Sequence, residues 1–135
     1  MEIPKHMYGV MWADAVKAQE AAAKAGPKTT ESWESKACRL GFGAYKLQCF
    51  CERLAQRYES PWFQPSHLES GRLYLINKHH WHPSQLIELT LEDLQLLIHE
   101  ELACMELTDY EWDPVRNWVL EFDCYKDLER SARQS

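Results

Sequence analysis

The stretch Lys78-His79-His80-Trp81-His82-Pro83 places three histidines within four positions. On an extended segment His80 and His82 point to the same side, which is half of a zinc site. Zinc needs one or two further ligands, and His67, His99 or a cysteine would have to supply them. None of these stands at a diagnostic spacing, so the plainer alternative is a polar loop whose imidazoles bond locally. Cys49 and Cys51 form C-x-C, but on a helix they point about 200° apart and cannot grip one ion together. His99-Glu100 begins the zinc-protease pattern H-E-x-x-H, yet Ala103 occupies the place of the second histidine. The chain contains no phosphate-binding loop, no dinucleotide fingerprint and no G-x-S-x-G elbow, and Gly41-Phe42-Gly43 falls inside a helical pattern. The remaining enzymatic option is a histidine base in the 79–82 loop working with Glu100 or Glu101. No catalytic residue, metal or cofactor is expected.

Charge and aromatic residues are more informative. The net charge of -6 is unevenly spread. Residues 1–60 carry nine Lys/Arg against seven Asp/Glu, whereas residues 61–135 carry six against fourteen. No Lys or Arg occurs between His79 and Val115. Such a surface repels phosphate backbones, so direct nucleic-acid binding is not expected. It favours a protein with a basic surface, including the basic groove of a nucleic-acid-binding complex. A solvated acidic face that serves only solubility is the alternative. Among the six tryptophans, Trp12, Trp33 and Trp118 lie on helical stripes and are expected in the core. Trp62-Phe63 and Trp81 lie in connectors, where tryptophan either anchors a partner or folds back over the core.

The elements that must position these groups follow from periodicity. Residues 12–25 hold seven alanines and read as a helix stopped by Gly26-Pro27. Residues 31–59 read as a long helix. Trp33, Ala37, Leu40, Ala44, Leu47, Cys51, Leu54 and Tyr58 recur at alternating spacings of four and three and share one stripe. Gly41 and Gly43 interrupt that helix and mark a kink or the close approach of another helix. Ser60–Ser66 is a connector with two prolines. After it, Arg72–Asn77 and Gln85–Leu89 read as a short β-hairpin, in preference to a helix opened by Ser66-x-x-Glu69. Residues 91–107 read as a helix capped by Thr90 and Asp93. Leu91, Leu94, Ile98, Leu102 and Met105 form its buried face, with Glu92, Asp93, Glu100 and Glu106 opposite and Leu96 among the acids. A last helix starts with Asp113 as cap and Pro114 at its first position. Its buried face is Val115, Trp118, Val119, Phe122 and Tyr125, and the tail after Leu128 is expected to fray.

A chain of 135 residues with 45% hydrophobic content suits one domain with one core. The expected fold is mainly α, a single bundle of three or four helices over residues 1–135 with the 72–77/85–89 hairpin as its one β addition. Neither a signal peptide nor an apolar run long enough to span a bilayer is present, so a cytoplasmic location is expected. The five cysteines are then free thiols, and their odd number opposes a closed disulfide framework. The expected function is that of a non-enzymatic acidic module, an inhibitor or adaptor that occupies a basic site on a larger protein. Phage anti-defence proteins, anti-CRISPR proteins among them, and bacterial immunity proteins share this size and charge, a likeness of bulk properties only. The residues expected to face the partner are Glu92, Asp93, Leu96, Glu100 and Glu106, His80, Trp81 and His82 in the loop, and Trp62 and Phe63 in the connector. A metal-binding domain built on the His79–His82 loop is the alternative.

Overall fold

The long apolar stripe of the sequence becomes the axis of the molecule. The computed structural model describes residues 4–27 and 29–133. The helices are α1 (Lys5–Lys17), α2 (Glu20–Ala25), α3 (Trp33–Tyr58), α4 (His67–His79), α5 (Leu91–Leu97), α6 (His99–Cys104), α7 (Asp109–Val119) and α8 (Tyr125–Arg133), with a 3-10 turn at Pro83–Leu86. The fold is mainly α, and no helix among the described residues is long and apolar enough to cross a membrane. Helix α3 packs against α1, α2, α4, α5, α6 and α7. Ser32 caps its start, its hydroxyl accepting from the Ser35 N–H at 3.2 Å. Ala37, Leu47, Cys51 and Leu54 of the stripe are buried, and so are Cys38, Phe42, Tyr45 and Cys49 on its other sides. A helix enclosed on several faces is central to its fold, not one strand of a coiled-coil seam.

The close approach signalled by glycine is real at Gly41. A Cβ there would lie 2.9 Å from the Ala15 carbonyl oxygen and 3.1 Å from its carbon, both backbone atoms of α1. At Gly43 the added carbon would meet the movable end of the Gln95 side chain. Gly41→Ala is therefore expected to push α1 outward and to cost about 1–2 kcal/mol after the gain in helix propensity is counted. Gly43→Ala should be neutral or stabilising, and denaturant midpoints of the two variants check the contrast.

The aromatic core forms where α1, α3 and α7 meet. The Trp12 ring meets Phe42, Tyr45 and Trp118 edge-on, at centroid distances of 6.4, 5.4 and 6.4 Å. Trp112, not singled out by periodicity, is fully buried and lies edge-on to Phe42. Two of the tryptophans expected in the core are instead half exposed. Trp33 lies at the first residue of α3 beneath the Lys24 ammonium, 4.3 Å from its centroid. Trp118 caps the outer side of Trp12.

Several boundaries differ from expectation. The alanine-rich helix starts earlier and is broken at Ala18-Gln19, which turns α2 so that Ala23 packs inward. The expected hairpin does not form, because Arg72–Asn77 lies inside α4 and Gln85 belongs to the 3-10 turn. The Ser66/Glu69 capping box decides that segment, with Glu69 N–H to Ser66 Oγ at 3.1 Å and Ser66 N–H to Glu69 Oε1 at 3.0 Å. Helical winding then carries Leu75 into the core. The 91–107 helix bends at Ile98 and ends at Cys104, although Leu94, Ile98, Leu102 and Met105 are buried as expected. Leu91 is exposed. Helix α7 begins at Asp109 behind a Thr108/Glu111 capping box, so Asp113 is not its cap and Pro114 lies in its interior. It ends at Val119, before Phe122 and Tyr125. The chain beyond Leu128 is ordered as helix to Arg133, held by buried Leu128 and Ala132 and by the Leu107 N–H on the Ala132 carbonyl at 2.9 Å.

Candidate functional site

The C-terminal end of α4 sets the histidine loop. His80 closes the helix in the left-handed region, φ 57°, ψ 32°, and its N–H reaches the Ile76 carbonyl at 2.8 Å. That turn folds Trp81 back against His79, the rings stacking at 4.5 Å and 21°. His82 starts the 3-10 turn. Its Nδ1 accepts the Ser84 N–H at 3.1 Å, and its own N–H donates to Gln85 Oε1 at 2.8 Å. The three histidines thus have three separate local tasks. His67 is engaged by Glu52 at 2.9 Å, and among the described residues no three His, Cys, Asp or Glu side chains gather around a common point. Glu101, the carboxylate proposed beside a histidine base, pairs with Lys78.

Two contacts fix the loop relative to α5. An Arg72 Nη donates to the Ile87 carbonyl at 3.0 Å, tying the loop to α4. Leu94 seats on Gly71, where a Cβ would lie 2.2 Å from its Cδ2. Between loop and helix lies an open hollow of about 560 Å³, lined by Trp81, Gln85, Leu86, Glu88, Leu89, Asp93, Leu96 and Leu97. Leu96 is 78% exposed and also borders a smaller depression, of about 320 Å³, with Glu92, Gln95 and His99. Ile87 is 68% exposed nearby in sequence, and Leu97 is half exposed.

The expected partner-facing residues separate into groups. Trp81, Asp93 and Leu96 line one hollow, with Glu92 on the same short helix and His80 and His82 flanking Trp81. Glu100 follows on α6, past the bend. Glu106 lies beyond the end of α6, outside the helix it was expected to share with Glu92, and its carbonyl oxygen accepts from Arg53 at 2.8 Å. Trp62 and Phe63 sit before α4, whose thirteen residues span about 20 Å. There Ser60 and Phe63 exchange N–H···O bonds of 2.9 and 3.1 Å, leaving Trp62 88% exposed while Phe63 turns partly inward. Trp62 does not fold back over the core. Glu88, Leu89 and Leu97 belong to the site without having been expected there.

Electrostatics distinguish this hollow from the larger one. Glu31, Glu52, Glu101, Asp109, Glu111 and Asp127 each have a basic partner. Glu88, Glu92 and Glu100 have no ion pair among the described residues, and Asp93 spends its carboxylate on the Thr90 N–H at 3.2 Å. The larger cavity, about 720 Å³ between α1, α3 and α7, contains Lys5 and Arg53. Arg53 is held by Glu111 and by the Glu106 carbonyl, and Lys5 lies over the Tyr110 ring at 4.0 Å. Its cations already serve the fold. No family model, curated protein or solved structure matches the chain.

Proposed function

We propose that the chain is a non-enzymatic protein-binding module, an inhibitor or adaptor whose Trp81–Leu96 face occupies a basic site on a larger protein. The exposure of Leu96 between a hollow bordered by Glu88 and Asp93 and a neighbouring depression bordered by Glu92 carries this reading. An apolar surface ringed by charge is the usual form of an interaction site, and a partly buried tryptophan at its edge supplies an anchor. Uncompensated carboxylates steer a basic partner toward it and give the encounter its salt dependence.

The rim and the anchor should fail differently. Glu88→Lys, Glu92→Lys and Glu100→Lys together are expected to lower the association rate at low salt by at least about tenfold without changing the melting temperature. Asp93 is left in place because it caps α5. Trp81→Ala should instead raise the dissociation rate, weakening binding by about 2 kcal/mol. Binding kinetics against the partner isolated from the source cells measure both effects. An unchanged association rate in the folded triple variant would sink the proposal.

A further inference from the structure

We infer that the Trp81–Leu96 hollow receives one face of an amphipathic basic helix contributed by the partner; this rests on the protein-binding reading above. The first argument is what the hollow's backbone offers. Of the residues that line it, Gln85 N–H is bonded to the His82 carbonyl, Leu89 N–H to the Leu86 carbonyl and Asp93 N–H to the Thr90 hydroxyl. The described residues contain no strand, so no sheet edge is open for an extended peptide. An extended segment buried here would leave its own peptide groups unpaired, whereas a helix arrives with them satisfied.

The second argument is chemical complementarity. The floor is apolar, formed by Trp81, Leu86, Leu89, Leu96 and Leu97, and a space of about 560 Å³ takes a few side chains, not a whole domain face. Residues at i and i+4 of one helix present such a cluster. Glu88 and Asp93 border it, Glu92 borders the adjoining depression, and none of the three has an ion pair among the described residues. Lysines or arginines flanking the helix's apolar stripe meet those carboxylates. A second copy of the chain fits poorly, because a two-fold contact would set one acidic rim against the other.

The probe is a sixteen-residue peptide of leucine and lysine with the leucines at helical i, i+3 and i+4 spacing, titrated into the isotopically labelled full chain. It should bind at least tenfold more tightly than a peptide of the same composition with scattered leucines. Amide shifts should centre on Trp81, Leu89, Leu96 and Leu97, and Leu96→Ser should abolish the preference. Equal affinity for the two peptides, shifts centred on Trp62, or a dimer dissolved by Leu96→Ser would each overturn the inference. A photo-crosslinking residue placed at position 96 of the full chain in source cells separates this inference from the one beneath it. Adducts on a helical, Lys/Arg-flanked segment support both. Adducts on an extended basic segment overturn the helix and leave the binding module standing, whereas adducts on an acidic segment overturn both. Adducts formed from position 62 and none from position 96 overturn both.

Discussion

Glu111→Ala will destabilise the chain more than any change on its acidic face, by about 3–5 kcal/mol. Glu111 is 2% exposed and does three things at once. Its carboxylate accepts from Arg53, Nε at 3.1 Å and an Nη on the other oxygen. It completes the Thr108 capping box through the Thr108 N–H at 2.8 Å. Its carbonyl oxygen receives the Tyr45 hydroxyl. Alanine keeps only the last. The Arg53 guanidinium then loses its counter-ion, the Thr108 N–H loses its acceptor so that only the Thr108 hydroxyl half of the capping box remains, and the buried side-chain volume is left as a cavity. Arg53→Ala leaves a buried carboxylate behind and should cost a comparable amount. The double variant should cost less than the sum of the two, because the buried carboxylate is then not stranded and their shared hydrogen bonds are counted once. Urea denaturation of the four proteins measures the cycle. Additive losses would mean that the two groups do not act as a pair.

Why this network was illegible in the sequence has a physical reason. Periodicity reports which side of a helix is apolar, and it found α3 from Ala37, Leu47, Cys51 and Leu54. Glu111 and Lys46 look like surface residues on any helical wheel. They are buried because partners arrive from far along the chain: Arg53 for Glu111, and the carbonyls of Leu102, Met105 and Ser131 for Lys46. Local signals were present where the expectation went wrong. Ser66-x-x-Glu69 marked the start of α4, and the apolar run Leu73–Ile76 outweighed it. Thr108-x-x-Glu111 marked the start of α7, and Asp113-Pro114 masked it. The candidate site was half legible. Trp81 and the acids of α5 stood out by residue type, whereas Leu89 and Leu97 join them only because Arg72 and Gly71 set the loop and α5 against α4.

Raising the pH should leave stability roughly level between pH 8 and 9 and then collapse it toward pH 11. Two opposing sets of groups produce this profile. Lys46 is 2% exposed, and its Nζ lies 2.9–3.0 Å from three carbonyl oxygens and the Ser131 hydroxyl. Burial of its charge pulls its pKa from 10.5 down to about 8. Between those values the unfolded chain holds a proton that the folded chain has released, so stability rises with pH, by up to about 3 kcal/mol. The buried thiols act in the opposite direction. Burial raises Cys38 and Cys51 from 9.0 to about 12, and it raises Cys49 and Cys124 as well. Above pH 9 the unfolded chain releases these protons while the folded chain keeps them, so stability falls. At pH 11 Cys38 and Cys51 alone withdraw about 5 kcal/mol, which exceeds the whole gain from Lys46. Two variants separate the terms. Lys46→Met strands the three carbonyls and should be less stable than wild type already at pH 7. Its deficit should widen by about 2–3 kcal/mol between pH 8 and 10.5, because only the wild type gains there. Cys38→Ala with Cys51→Ala should lose stability from cavities at pH 7 but decline far less steeply above pH 9. Thermal or urea denaturation from pH 7 to 11 gives all three curves. A Lys46→Met curve parallel to wild type across pH 8–10.5 would show that the buried ammonium keeps its proton through that range, held by the carbonyls around it.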